Sequence, residues 1–503
     1  MMPNSDGFSN LHAKRPLRNS SRDTLRVNRP ITQPIAIYQP KQRAGTPARV
    51  ARQSRNLGLI ALYLAHIPLA IFMYRMGVIA TAHAMVTLAV GVGYALSPSR
   101  RSERVAYVGA YIAGAEVLWR MTNAQVFWEF GKYATVTIFL ITMLRTGRLK
   151  GPALMLGYFA LLLPSIAVIL VRVDPSEARG YVSFNLSGPL AMTVAACFFS
   201  QLKMSPEQVQ RLFLVAIGPI IGIASVTFLG IRTVNQIAFT GESNVASSGG
   251  FGPNQVSAAL GLGALFALMF ILLGKSGNTT RLLVFGGLVF MSVQSAMTFS
   301  RGGLYDFAGA VALASIYMLR DARMRRRFLF VGIVIFVLGS YVIIPQLEDF
   351  TGGALGSRFR DTETTNRIPI LQRELRVWEE HPLLGVGPGG GKLAGASMAH
   401  TEFARMPAEH GLLGIAAFFL LVTAAVKTIA RAQSMKAKAF SISMIGWSFL
   451  FMLNTGMRLL APAFAFGLAF ATILPDPDVS RTIIRERPPQ AIPRRAPPAI
   501  VER

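Results

Sequence analysis

Residues 254–273 read NQVSAALGLGALFALMFILL, a block of 20 residues with no charged side chain. As a helix rising 1.5 Å per residue it is about 30 Å long, the depth of a bilayer's hydrocarbon core. A surface helix of a soluble protein keeps a polar face, and this block has none. Blocks of the same kind lie on both sides of it, at about 57–74, 78–96, 105–121, 132–145, 152–171, 184–202, 212–231, 281–299, 303–319, 328–345, 411–430, 439–455 and 458–474. Together they give about fourteen transmembrane helices. Composition agrees, since the 503 residues are 52% hydrophobic and 15% charged, where a soluble domain averages about 25% charged. The expected fold is therefore an all-α polytopic membrane protein.

The spans divide the chain into a basic, disordered tail at 1–56, transmembrane helices 1–11 over 57–345, a long partly helical loop at 346–410, helices 12–14 over 411–475, and a Pro- and Arg-rich disordered tail at 476–503. No cleavable leader precedes the first span, which is expected to serve as its own insertion signal. The net charge of +27 invites a nucleic-acid reading, but basic residues also gather in cytoplasmic loops because they resist translocation. That rule can be tested along the chain. With the N-terminus cytoplasmic, the loops on that side contain Arg100, Arg101 and Arg104; Arg145, Arg148 and Lys150; Lys203 and Arg211; Lys275 and Arg281; Arg320 to Arg327; and Lys427 to Lys438. All are net basic. The opposite side has short, weakly charged turns and the loop 346–410, where acidic residues slightly outnumber basic ones. The pattern predicts cytoplasmic termini and a bacterial inner-membrane location. Membrane lipids are then the expected surroundings, with no nucleic-acid partner. The sole cysteine, Cys197, lies in an apolar block, which excludes a disulfide framework and a cysteine metal site.

The loop 346–410 is where function is expected, because membrane bundles rarely carry so long a connection without use. Part of it reads as a helix: Thr364, Thr365 or Asn366 as cap, Pro369 in the first turn, and Ile368, Leu371, Leu375 and Trp378 at helical spacing. On that helix Arg367 projects on the side of Leu371, Glu374 and Trp378. The glycines Gly385, Gly387, Gly389, Gly390 and Gly391 before Lys392 do not form a nucleotide-binding P-loop. Val386 stands where its first glycine belongs, and Leu393 follows the lysine in place of Ser or Thr. They read as a flexible turn. Within the apolar blocks, Glu116 and Arg120 stand four apart and favour mutual neutralisation; Glu129 and Lys132 lie near the next span's start, and Asp306 is a candidate to orient Arg301.

Three fragments on the outer side stand out in order and spacing. Ser300-Arg301-Gly302-Gly303 opens the tenth span. Asn366-Arg367 leads through Trp378 to Glu380-His381-Pro382-Leu383-Leu384-Gly385-Val386-Gly387-Pro388-Gly389. Ala399-His400-Thr401-Glu402 precedes Glu409-His410-Gly411-Leu412-Leu413-Gly414. Together they resemble the O-antigen ligase and polymerase superfamily, membrane glycosyltransferases acting on polyprenyl-diphosphate-linked glycans. Phe251-Gly252-Pro253-Asn254 resembles a looser motif of the same family. The resemblance covers roughly 210–430. Thr401 departs from the asparagine that usually follows the family histidine, and the spans outnumber those usual for the ligases.

The resemblance implies a GT-C-like fold and transfer or polymerisation of a polyprenyl-diphosphate-linked glycan onto a glycan or lipid-linked acceptor, with inversion at the anomeric carbon, during synthesis of a surface polysaccharide (O-antigen or exopolysaccharide). Polysaccharide assembly proteins are candidate partners. It makes His400 the catalytic residue and Arg301 and Arg367 the diphosphate-binding pair; Arg358, Arg360 and Glu409 are secondary candidates beside it, and surface solvation is the favoured reading of Arg358 and Arg360. The chemistry suits the residue types. A guanidinium fork meets phosphate oxygens at two points, a helix N-terminus at Arg301 favours anions, and an imidazole exchanges protons near neutral pH. No Asp-x-Asp pair stands on the outer loops to hold a divalent ion, so neither metal nor cofactor is expected. Each residue also has a structural reading. Arg301 fits an interface arginine that snorkels, Arg367 can pair with Glu363 or Glu374, and His400 alone is a polar loop residue. His381 and His410 read as turn and helix-start residues. A secondary transporter or lipid-linked glycan flippase is the competing class, and predicts internal repeats and interrupted helices; a purely structural assembly partner is a third.

Overall fold

The computed structural model describes residues 46–98, 101–233, 239, 242–274, 276–361, 367–394 and 401–475. The tail 476–503, most of the tail 1–56, and His400 lie outside the described residues, as does the side chain of Arg367. The chain divides into Met1–Arg52 and a compact unit, Gln53–Arg503. Eighteen helices are described: α1 (Thr46–Arg75), α2 (Gly77–Leu96), α3 (Ser102–Met121), α4 (Phe130–Arg145), α5 (Ala153–Leu162), α6 (Ile166–Arg172), α7 (Pro175–Ser200), α8 (Pro206–Thr233), α9 (Pro253–Leu273), α10 (Asn278–Met297), α11 (Gly302–Met318), α12 (Ala322–Leu338), α13 (Ile344–Thr351), α14 (Ala354–Arg360), α15 (Arg367–Glu380), α16 (Glu402–Arg431), α17 (Met435–Asn454) and α18 (Leu460–Leu468). Two-residue strands, β1 (Lys203–Met204) and β2 (Thr472–Ile473), pair in parallel and tie the end of α7 to the end of α18.

Among the described residues, eight helical stretches are long and apolar enough to cross a membrane. They are α2, Ala153–Arg172, α7, Pro206–Arg232, Ala246–Leu273, α10, the run Ala322–Thr351, and α16. The protein is thus an almost all-helical, multi-pass membrane protein. The other six predicted stretches also fold as helix: α3, α4, α11, α17 and α18 are shorter or more charged, and the side chains of α1 are described only in part. Helices α4, α11 and α18 have 16, 17 and 9 residues. Helix α3 contains Glu103, Arg104, Glu116 and Arg120, and basic residues lie in the first turns of α1 and α17. Every residue of α18 is buried by neighbouring protein.

Helix α9, the block quoted first, runs through the centre and is buried continuously from Val256 to Leu272. It packs against α8, α10 and α11. A Cβ on Gly261 would collide with the Gly303 carbonyl, and one on Gly303 with that of Ser257. Hydrogen at both positions lets α9 and α11 touch backbone to backbone, as membrane helices do when dispersion replaces the hydrophobic effect. At the periphery the opposite holds. No part of the most apolar window in Ala322–Thr351 is buried, and Phe330, Phe336 and Tyr341 are 66–75% exposed. This is a surface suited to lipid.

The charges within the bundle are neutralised locally. Arg120 pairs with Glu116 at 2.8 Å, donates to Gln255 and to the Trp128 carbonyl, and lies 4.1 Å from the Trp128 ring. The other Glu116 oxygen accepts the Leu460 N–H at 2.6 Å. Lys132, fully buried, donates to Ser187 at 3.2 Å. Removing such groups from water is tolerable because each has a partner.

Two helix ends differ from the predicted loop boundaries. The run through α12 and α13 continues to Thr351, past 345, and α16 begins at Glu402, nine residues before 411. The backbone breaks inside α16 at Gly411, where φ is 61° and ψ is −142°. The expected span start at 411 coincides with this break.

Candidate active site

The Ser300-Arg301-Gly302-Gly303 turn is set by its backbone. Phe299, fully buried, takes φ +55°, a left-handed conformation that a bulky residue holds only where its surroundings enforce it. Its ring stacks on Phe239, and its carbonyl accepts the Arg358 Nε–H at 3.1 Å. Ser300 donates to Asn254 Oδ1 at 2.8 Å, so this turn and the Phe251–Asn254 turn are hydrogen-bonded together. Ser257 adds a second link by donating to the Ser300 carbonyl at 2.8 Å. Arg301, the N-cap of α11, is half-buried and donates to the carbonyls of Arg358 and Asp361. Arg358 also faces the Asp361 carboxylate at 3.4 Å. The structure therefore brings Arg301 and Arg358 together around the end of α14, whereas Arg360 is exposed. Asp306 accepts from Asn454 at 2.8 Å.

The other two motif fragments interlock. His381 closes α15, donating its N–H to the Val377 carbonyl at 3.1 Å, and the chain then turns back along the kink of α16. The Val386 N–H donates to the Ala408 carbonyl, the Gly387 N–H to that of Glu409, and the Leu412 N–H to that of Pro382, at 2.8–3.0 Å. These bonds need the two backbones in direct apposition. A Cβ on Gly411 would stand 2.6 Å from the Pro382 oxygen, and one on Gly385 would stand 2.6 Å from the Ala408 oxygen. Both glycines have positive φ, 61° and 65°. The glycine-rich stretch and the helix break thus specify one another.

Above the break, α16 buries three charged side chains on one face. Arg405 pairs with Glu402 and, at 2.9 Å, with Glu409. It also donates to the Asn185 side chain and carbonyl at 3.0 and 3.2 Å. Glu402 accepts the Met457 N–H at 3.0 Å, and Glu409 accepts the Gly389 N–H. Thr401 caps the helix, accepting the Ala404 N–H at 3.2 Å. His400 is the residue before that cap. His410 is buried below the triad, 2.6 Å from the Ser165 hydroxyl.

Beside this triad lies a cavity of about 500 Å³ between α7, α15, the glycine turn, the start of α16 and the segment 456–458. Tyr181 and Phe184 form one wall, and Glu374 lines it from α15. Glu374 is 3% exposed, and one of its carboxyl oxygens has no hydrogen-bond partner. Burial pushes this carboxyl up to about 8; Glu409 and Glu402 add to the rise, and Arg405 opposes it. The buried residues of α15 are Glu374 and Val377, while Ile368, Leu371 and Leu375 are 37–53% exposed. Of the side expected to carry Arg367, Leu371, Glu374 and Trp378, the protein buries Glu374 and leaves Leu371 37% exposed. Among the described residues no group of three or more His, Cys, Asp or Glu is placed to hold a metal ion.

Of the sequence candidates, Glu409 lies in the triad and lines the cavity, while Arg301 and Arg358 meet at α14. Arg367 is the first residue of α15. Sequence reasoning misses Arg405, Asn185 and Tyr181, and finds Glu374 only as a neighbour of Arg367. The spacing of Glu402, Arg405 and Glu409 is legible as one helical face. Burial alone distinguishes it from a solvated charge run.

An almost all-helical bundle with apolar flanks and two pairs of joined motif turns, one at α9 and α11 and one at α15 and the kink of α16, defines a multi-pass membrane protein. Residues 286–419, which include the Ser300–Gly303 turn, α15, the glycine turn and the kink of α16, match the family described as O-antigen ligase. The match covers about a quarter of the chain and supports the resemblance to the O-antigen ligase superfamily. No curated protein matches the chain.

Proposed function

We propose that the protein is a metal-independent membrane glycosyltransferase of the ligase or polymerase kind, acting on a polyprenyl-diphosphate-linked glycan at the periplasmic face of a bacterial inner membrane. In this reading the fourteen helical stretches all cross or line the bilayer in a GT-C-like arrangement, and both termini are cytoplasmic. The observation that carries it is the joining of the family's fragments in two pairs. The Ser300–Arg301 turn is bonded to the Asn254 turn, and the glycine turn is bonded across the break in α16 at Gly411.

Each residue then has a task. Arg301, at the N-terminus of α11, supplies a fork for diphosphate oxygens. Arg367 supplies a second from the start of α15, and Arg358 and Arg360 assist. His400, next to the cap of α16, takes the proton from the acceptor hydroxyl as the anomeric bond to diphosphate breaks.

The test is His400→Ala in cells that make the polysaccharide, with glycan chain length and the lipid-linked intermediate measured together. Expected are a normal amount of protein in the membrane, loss of product by roughly 10²–10⁴-fold, the worth of one acid–base group, and donor accumulating on the outer face. Donor trapped on the inner face would instead indicate a flippase. Normal polysaccharide would remove His400 from the chemistry.

A further inference from the structure

A second charged site lies at the far end of α9 from the motif turns. The helix starts beside the Phe251–Asn254 turn and has 21 residues, so Gly274, which ends it, stands about 30 Å away. Two guanidinium groups meet there. Arg281, in the first turn of α10, donates to the Gly274 carbonyl at 2.9 Å, and Arg327 of α12 donates to the same oxygen at 3.3 Å. Capping the C-terminus of α9 accounts for one of them, because a helix end carries about half a negative charge. Roughly one and a half positive charges are then left over, and among the described residues no carboxylate is ion-paired with either arginine. Asp321, the sole acidic residue in the run Arg320 to Arg327, is spent as the N-cap of α12, accepting the N–H groups of Arg323 and Met324. Helix α10 opens at the same place with Gly277 as its N-cap, which has no side chain to bond the first-turn N–H groups. Arg281 is half-buried and Arg327 is exposed, so the pair is reachable from outside. Apolar surface adjoins it. Leu282, next to Arg281, is 71% exposed, and Phe330, Ile333 and Val337, spaced three and four apart on α12, are 48–69% exposed.

We infer that Arg281 and Arg327 hold the phosphate of an anionic phospholipid, whose acyl chains lie along Leu282 and the Phe330–Val337 stripe. A guanidinium has five N–H donors, more than one carbonyl can satisfy, and a phosphodiester supplies both the acceptor oxygens and the negative charge that the pair lacks. Charge alone would admit a free phosphate; the apolar stripe beside the pair selects a lipid. In the topology proposed above this end is cytoplasmic, where basic pockets between helices suit anionic headgroups. The inference is independent of the transferase reading, since no motif residue takes part.

The experiment uses the full-length protein in a nonionic detergent, with binding read as a rise in melting temperature with ligand concentration. The probes are phosphatidylglycerol, phosphatidylcholine with the same acyl chains as the zwitterionic control, and glycerol phosphate as a headgroup without chains. Phosphatidylglycerol is expected to protect the unaltered protein more than phosphatidylcholine does, and glycerol phosphate at equal concentration not at all. Arg327→Gln should raise the phosphatidylglycerol concentration needed for the same protection by roughly ten- to a hundredfold, as for loss of a hydrogen bond between charged groups. Misfolding does not confuse the result. Arg327 is exposed and Arg281 stays on the Gly274 carbonyl, so the melting temperature without lipid is expected to be unchanged or higher. The control for diffuse charge is Arg323→Gln with Arg326→Gln, which removes two cations from the same end of α12 but neither contact with Gly274; it should weaken protection less than Arg327→Gln does. Four results would each overturn the proposal. Equal protection by phosphatidylcholine would mean lipid without a headgroup site, and protection by glycerol phosphate a soluble anion. An equal loss from the Arg323 and Arg326 pair would mean a diffuse field. A fall in melting temperature for Arg327→Gln of the same size with and without phosphatidylglycerol would mean an arginine that only caps α9.

Discussion

Arg405→Met removes the cation that holds the upper part of α16 in place. The side chains of Glu402 and Glu409 are 1% and 6% exposed, and that of Arg405 is 8% exposed. Without the guanidinium, two carboxylates remain with almost no access to water. Breaking a single buried ion pair typically costs about 3–5 kcal/mol. Here one cation serves two anions and also binds Asn185 on α7, so that range is a lower bound for the variant. A second variant separates charge from packing. Replacing all three together, Glu402→Gln with Arg405→Met and Glu409→Gln, removes the stranded charges and keeps the volumes nearly constant. It should recover most of the loss, because exchanging a whole buried ion cluster for neutral groups is often close to neutral. The assay is thermal unfolding of the detergent-solubilised protein, followed by loss of the monodisperse species. The order expected is unaltered protein, triple variant, then Arg405→Met. An Arg405→Met protein that melts with the unaltered one, or a triple variant that melts no higher than Arg405→Met, refutes the electrostatic account.

Glu374 gives a pH signature. Its folded value of about 8 exceeds the ordinary 4.5, so between those values the folded protein keeps a proton that the unfolded chain has released. Its contribution to stability is therefore full below about pH 4.5 and is lost as pH rises toward about 8, by at most roughly 1.4 kcal/mol per pH unit. Melting curves should show Glu374→Gln gaining on the unaltered protein across that interval and no further above it; a constant difference counts against the burial argument. Gly411→Ala should lower the amount of folded protein in the membrane sharply, since backbone strain of about 1–3 kcal/mol adds to a collision with the Pro382 turn. Gly352→Ala is its control: φ is 60° there too, but nothing lies within 4 Å, so a mild effect is expected, and equal effects would refute the interlock. Thr401→Ala should cost about 1 kcal/mol and Thr401→Asn almost nothing, because both Thr and Asn cap helices; melting temperatures of the pair decide it.

Much of the fold was legible because membrane insertion depends on composition summed over a window, and eight of the helical stretches are long and apolar enough to give a clear sum. The block at 254–273 became the buried centre, and the charged pair Glu116–Arg120 closed on itself as the i,i+4 spacing indicated. Helix ends were less legible. The start of α16 at Glu402 depends on a buried ion triad and a cap, and hydropathy counts such residues as loop. The same averaging hides why α18 is only 9 residues long: its surroundings are protein.

The site was legible to a different degree, because motif order says which residues are kept near one another but not which face they present. Helix α15 shows the difference. Its apolar residues Ile368, Leu371 and Leu375 recur at helical spacing, yet the protein buries Glu374 and Val377 and leaves those three 37–53% exposed. Hydrophobicity alone could not have chosen this, since it ranks a carboxylate as the last group to turn inward. The choice becomes intelligible once the helix is seen as lying between two apolar environments. The exposed leucines then suit lipid or the membrane interface, while Glu374 lines a cavity within the protein.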